Sequence, residues 1–206
     1  MNHLLSINPK DVSERDNYKL LTGTIIPRPI AFVTTKSTEG VVNGAPFSYF
    51  NIVSANPPLV SLAIQRPNGR VKDTARNIYS SGEFVVHIVD SENVNQINET
   101  AASLPPNESE LVIANLTEVN SLLVNVPGIQ EAKVRMECKL IKAIPLKDEE
   151  NPGSDLFIGE VVLFHIDESI YEENGRIDAE KLGAVSRLAG SDYASLGKLF
   201  SIERPK

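Results

Sequence analysis

Apolar residues fall along this chain mostly in short continuous runs rather than at helical spacing. Pro29-Ile30-Ala31-Phe32-Val33-Thr34-Thr35 is one run, Leu59 to Ile64 a second, and Glu83 to Val89, with His87 inside it, a third. Runs of this length, rich in β-branched and aromatic residues, predict strands covered on both faces. Val134, Met136, Cys138 and Leu140 alternate with Lys133, Arg135, Glu137 and Lys139, which predicts a strand with one buried and one wet face. Phe157 to Asp167 reads as another long strand with Gly159 as a bulge, and Val124 to Ile129 as a short one. Helical spacing is rarer. Val71, Thr74, Ala75 and Ile78 precede a stop at Gly82, while Val94, Ile97 and Ala101 mark a second helix. Asn107 and Glu110 form a capping box ahead of Leu111 and Ala114. Leu182 to Phe200 is predicted to hold one or two helical turns, broken at Gly190 and Gly197. Acidic stretches at Lys147 to Asp155 and Asp167 to Glu180 read as solvated connections. Many strands with few helices between them predict a mostly β chain with inserted helices, a β-barrel forming a single domain over residues 1–206.

Composition narrows the function. A net charge of −7 and a pI near 5.1 repel phosphate backbones and anionic lipid, so neither nucleic acid nor a membrane surface is an expected partner. One cysteine among 206 residues excludes a disulfide framework and a cysteine cage for a metal. His3, His87 and His165 are far apart, and no metal-ligand spacing occurs. The start, Met1 to Pro9, lacks the basic and apolar regions of a signal peptide, so the expected compartment is the cytoplasm. There is no Gly-x-Gly, no P-loop and no nucleophile elbow.

Two adjacent features carry the candidate chemistry. Asn43 to Gln65 is 23 residues without a charge, and it contains Gly44, Pro46, Pro57 and Pro58. Such a stretch is too broken for a membrane helix, and is expected to be buried on both sides or to line a site where charge is unwelcome. Immediately after it, Arg66, Arg70, Lys72 and Arg76 face Asp73 alone, at a turn (Asn68-Gly69) that opens a helix. A helix start offers free N–H groups and the positive end of its dipole. With Arg66, Lys72 and the Thr74 hydroxyl added, this is a candidate phosphate seat. An uncharged wall beside a phosphate seat suits a flat phosphorylated heterocycle. FMN fits; pyridoxal phosphate fits less well, because no lysine for a Schiff base lies in the wall.

Pro27-Arg28-Pro29 with the strand that follows, Asn43-Gly44-Ala45-Pro46-Phe47-Ser48-Tyr49-Phe50-Asn51, Asn56-Pro57-Pro58 and Lys72-Asp73-Thr74 resemble the flavin reductase-like family of FMN-binding split barrels, its flavoredoxin-type branch in particular. Glu83 to His87, Gly159 to Val162 ahead of His165-Ile166-Asp167, and Arg187-Leu188-Ala189-Gly190 before Tyr193 continue the likeness in order, from about Leu20 to Pro205. Many relatives carry a second glycine where Ala189 stands. The resemblance implies an FMN-binding split β-barrel with a core at about 20–170 and an extension at 171–206. It implies a homodimer with FMN near the subunit interface. By position, Ser48, Tyr49, Phe50 and Asn51 would line the flavin ring, Arg28 and Thr34 would flank it, and Arg66, Lys72, Asp73 and Thr74 would hold the phosphate. His87, Arg187 and Tyr193 would sit on the substrate side, near the ring's open face. No catalytic side chain is expected, since hydride transfer from NADH or NADPH to flavin N5 asks the protein mainly for geometry. The expected activity is an NAD(P)H:flavin reductase. The alternatives are an FMN-bound electron carrier passing electrons to an acceptor protein, and an FMN-binding module without turnover.

Overall fold

The computed structural model describes residues 3–102, 104–105, 107–146 and 153–205. Residues 147–152 of the predicted acidic connection lie outside the described residues. In chain order the elements are α1 (Glu14–Thr24), β1 (Arg28–Pro29), β2 (Ala31–Lys36), β3 (Val42–Phe47), β4 (Phe50–Ala55), β5 (Pro58–Gln65), α2 (Asp73–Ser81), β6 (Glu83–Ile88), α3 (Val94–Glu99) and α4 (Glu110–Ile113). There follow β7 (Glu118–Val119), β8 (Gly128–Ile129), β9 (Val134–Leu146), β10 (Ser154–Ile166), α5 (Ala179–Leu182), β11 (Val185–Arg187) and β12 (Tyr193–Ser195).

Seven strands pair antiparallel in the order β3-β2-β6-β9-β10-β5-β4. Its two edge strands, β3 and β4, are consecutive in sequence and separated only by Ser48 and Tyr49. Seven strands laid flat would hold their edges roughly 29 Å apart, whereas a two-residue link spans about 10 Å. The sheet therefore curls until its edges meet. The result is a barrel whose seam lies at Ser48–Tyr49. Inside it pack Val33, Leu62, Ile64, Phe84, Val86 and Phe157. Outside it, Phe32 and Val42 meet Ile97 of α3 and Leu111 of α4 in a second cluster. That is why β2 opens with an unbroken apolar run, Ala31 to Val33, and stays buried through Thr35: both of its faces are covered.

The long strands, and α2 with Gly82 as its left-handed stop (φ 69°), lie where the sequence puts them. Other expectations change. Glu137 is not on a wet face: it is fully buried, and its carboxylate accepts the amides of Leu122, Leu123 and Val124 at 2.7, 2.6 and 3.1 Å. Those bonds hold 122–124 as a loop, so only Gly128–Ile129 of the predicted Val124–Ile129 strand forms. Helix α4 begins after Ser109, not Asn107, because the Glu110 side chain turns away from the helix to bond Asn43 and Gly44. Finally, the predicted helical turns of Leu182 to Phe200 do not form: Leu182 ends α5, residues 185–195 are a β-hairpin of β11 and β12 with Gly190 (φ 59°) in its connection, and 196–200 has no regular structure. Ala189 needs no left-handed backbone there. The charge-free stretch is not buried throughout either, since β4 is an edge strand with Ile52 at 78 % exposure.

Candidate functional site

The barrel seam opens into a cleft of about 770 Å³. Helix α1 builds one wall. Ser13 caps it by accepting the Asp16 amide at 3.1 Å, and residues three apart then share a face, bringing Tyr18 and Leu21 onto the cleft. Ile25, Pro27 and Pro29 continue the apolar wall, opposite Ser48, Tyr49, Phe50 and Asn51 from the seam, with Ser61 and Gln65 from β5. A smaller cavity of about 160 Å³ shares Tyr18, Arg28, Ser48, Tyr49 and Gln65 with the cleft and adds Lys72 and Arg187. A third, of about 220 Å³, shares Phe47, Ser48 and Arg187 with the second and adds Asn98 and Tyr193. The three form one groove across the seam.

Its electrostatics oppose the rest of the molecule. Three cations, Arg28, Lys72 and Arg187, line the second cavity, and among the described residues no carboxylate does. Arg28 is 7 % exposed. Its guanidinium donates to the Thr22, Ile25 and Leu188 carbonyls at 2.7, 2.6 and 2.8 Å, and Nε donates to Ser48 Oγ at 3.4 Å. Each of those partners is neutral. A buried guanidinium held by dipoles alone leaves its charge to act on whatever enters the groove. Lys72 ends the loop before α2, with Nζ 5.7 Å from the Phe47 ring centre. Arg187 lies across β11–β12 from Tyr193, its guanidinium 4.4 Å from that ring, and the Tyr193 hydroxyl donates to Asn98 Oδ1 at 2.9 Å.

The structure thus brings Arg28, Ser48, Tyr49, Phe50, Asn51, Lys72, Arg187 and Tyr193 onto one groove. Five other expected site residues do not line it. Arg66 pairs with the buried Asp155, Nε to Oδ2 at 2.7 Å, because the β5–β10 register sets Gln65 opposite Ser154. Asp73, in the first turn of α2, pairs with Arg76. Thr74 is buried beneath that turn and donates to Asn43 Oδ1 at 2.7 Å; Asn43 Nδ2 donates in turn to both Glu110 oxygens at 2.9 Å. Burial pushes the Glu110 pKa up, against the pull of the Gly44 amide and Asn43. Thr34 is buried, with its hydroxyl donating to the Pro127 carbonyl at 2.6 Å. His87 does not face an open side at all. It is fully buried, with Nδ1 3.0 Å from the Phe32 carbonyl and Nε2 accepting the Ile129 amide at 3.0 Å, and burial lowers its pKa to about 3.

The sequence reading missed Tyr18, Leu21, Gln65 and Asn98. The α1 signal was present, in Ser13 with Asp16 three residues on and Tyr18, Leu21, Thr22 and Ile25 at helical spacing. For Asn98 there was none, since its partner Tyr193 is 95 residues away.

A mostly apolar cleft with uncharged hydrogen-bonding groups along the seam, Glu14 and Arg15 of α1 on its helical wall, and a carboxylate-free cationic cavity beside it matches a planar polar ring carrying an anionic group. Its volume lies in the roughly 300–1,000 Å³ range of small-molecule sites. The residues present therefore fit FMN. Among the described residues no cluster of metal-ligating side chains occurs, and no helix is long and apolar enough to cross a membrane.

Comparison with known proteins agrees with the geometry. A Bacillus subtilis protein, YwrF, is 54 % identical over 196 residues, covering 94 % of this chain and 96 % of its own. The crystal structure of nitrilotriacetate monooxygenase component B from Bacillus cereus superposes with a TM-score of 0.95 at 59 % identity, covering 98 % of this chain and all of that one. A flavin reductase with a split-barrel domain from Shewanella frigidimarina, at 22 % identity, shares the fold with a TM-score of 0.83 over 95 % of this chain and 96 % of its own. The family described as flavin reductase like domain matches residues 22–181. The chain belongs to the flavin reductase-like domain family, with its mostly β split-barrel fold.

Proposed function

We propose that this flavin-related oxidoreductase binds FMN across the barrel seam and catalyses hydride transfer to it from NADH or NADPH. The observation that carries the reading is the run of Arg28, Lys72 and Arg187 around a carboxylate-free cavity, in a chain of net charge −7, continuous with a mostly apolar cleft whose only carboxylate among the described residues is Glu14 of α1. Lys72 and Arg28 hold the phosphate. The seam residues Ser48 to Asn51 present main-chain groups to the ring's polar edge, the backbone of Ser48 and Tyr49 lying between two strand ladders. Arg66, Asp73 and Thr74 act one layer behind: they fix the loop before α2 and so the position of Lys72. Arg187 and Tyr193 border the side from which a nicotinamide approaches. When bound, the flavin supplies the hydride-accepting atom. The chain supplies orientation, a dry slot, and positive charge near the anion.

The name of the Bacillus cereus relative, component B of a monooxygenase, supports a chain that hands reduced flavin or electrons to a separate acceptor protein. The chain acts as a homodimer, with FMN near the interface between the two copies.

The test is the visible spectrum of the purified protein before and after NADH or NADPH is added without oxygen. A yellow protein that bleaches is the expected result. Retained yellow would overturn nicotinamide oxidation and leave an electron carrier or binding module. A colourless protein that takes up no added FMN would overturn the flavin site.

A further inference from the structure

Away from the groove, the end of β10 and the turn after it carry a recess of about 520 Å³, lined by Phe164, Ile166, Glu168, Tyr171 and Glu173. Phe164 and Tyr171 are 49 % and 51 % exposed. Residues 167–180 hold Asp167, Glu168, Glu172, Glu173, Asp178 and Glu180 against Arg176 alone. Half-exposed aromatic faces beside carboxylates suit an extended segment that alternates cations with apolar side chains.

Such a segment exists in this chain. Residues 196–205 leave β12 without regular structure, and all are exposed. They carry Lys198 and Arg204 against Glu203, and they show Leu199, Phe200 and Ile202 to solvent, the last two at 81 % exposure each. Among the described residues they make no hydrogen bond or ion pair. They do not lie in their own recess, which is lined only by residues between 164 and 173.

We propose that the 196–205 segment of one copy docks in the Phe164–Tyr171 recess of a second copy, with Lys198 and Arg204 meeting Glu168 and Glu173 and with Phe200 against the aromatic pair. In a two-fold pair the exchange is reciprocal. The proposal rests on the homodimer reading above, but not on flavin binding.

The test combines sedimentation with cross-linking. Cys138 is fully buried and burial raises its thiol pKa, so introduced cysteines react alone. A chain with both Lys198→Cys and Glu173→Cys, treated with a short bis-maleimide, gives a covalent dimer on a denaturing gel, while each single variant stays monomeric. Glu168→Lys with Glu173→Lys weakens self-association at least tenfold at low salt, and Lys198→Glu with Arg204→Glu in the same chain restores it. A wild-type protein that sediments as a dimer, yet whose double-cysteine variant stays unlinked or links within one chain, overturns the docking and leaves the dimer standing. Linking from Leu5→Cys in place of Lys198→Cys overturns it too, by assigning the recess to residues 3–8. A monomeric wild-type protein overturns both readings. Neither readout depends on FMN.

Discussion

At the scale of single residues, the interior is held by buried polar groups whose partners lie far off in sequence. His87 bonds Phe32 and Ile129, 55 and 42 residues away, so nothing local told it apart from a histidine facing a ligand. Its two contacts need one donor and one acceptor, which the neutral imidazole supplies. With a folded pKa of about 3 and an unfolded one of about 6.5, the unfolded chain binds the extra proton between those limits. Stability from this group is full above about pH 6.5 and is lost as pH falls toward 3, at about 1.4 kcal/mol per pH unit. Glu110, with its pKa raised by burial, slopes the opposite way. Glu137 keeps a depressed pKa: its burial is outweighed by the Leu122 amide, His165 and the Leu123 amide. Its share is therefore lost only below the ordinary carboxylate range. His87→Gln keeps a donor and an acceptor but does not titrate. Urea unfolding at pH 7, 6, 5 and 4 should show the wild-type minus variant difference shrinking as the pH drops; a pH-independent difference would mean that His87 takes up its proton as readily in the fold as in the unfolded chain.

At the scale of elements, the strands were legible because burial on both faces writes apolar runs into β2 and β6, while β5 buries Val60, Leu62 and Ile64 and keeps Leu59 and Ala63 half-buried. The two edges of the barrel were not. β4 exposes Ile52 and Val53, so its hydrophobicity carries no message about burial within this chain. Glu137 likewise reads as a solvent-face residue in the β9 alternation, and only a loop folding over that face buries it. The bulge at Gly159 was legible, and its reason is steric. The β9–β10 register shifts between Ile158 and Gly159, and a Cβ on Gly159 would stand 2.4 Å from Cζ of Phe84, a fully buried ring on β6. Gly159→Ala should therefore cost about 1–3 kcal/mol by overpacking, read as a lower urea midpoint with an unchanged slope. Adding Phe84→Leu should recover part of that loss. Equal destabilisation with and without Phe84→Leu would place the strain elsewhere.

At the scale of the whole molecule, charge is partitioned. The chain is acidic overall, yet one cavity of its groove gathers Arg28, Lys72 and Arg187 with no carboxylate among its described lining residues. The sequence showed the basic turn but not which of its cations faces inward; β-sheet register decides that, by giving Arg66 to Asp155 and leaving Lys72 at the groove. A ligand with a phosphate should feel this field, and the same ring without one should not. FMN affinity is thus expected to fall as ionic strength rises from about 0.01 to 0.15 M, over which the Debye length shrinks from roughly 30 to 8 Å, while riboflavin affinity stays nearly level. Removing one charge-assisted contact costs about 1.5–3 kcal/mol, so Lys72→Ala should weaken FMN binding about ten- to a hundredfold. The same variant should flatten the salt dependence and leave riboflavin unchanged. Fluorescence titration of both flavins against both proteins reads all of these together. Should FMN and riboflavin bind with the same affinity at low salt, the cations do not meet the phosphate, and the groove's positive end serves some other anion.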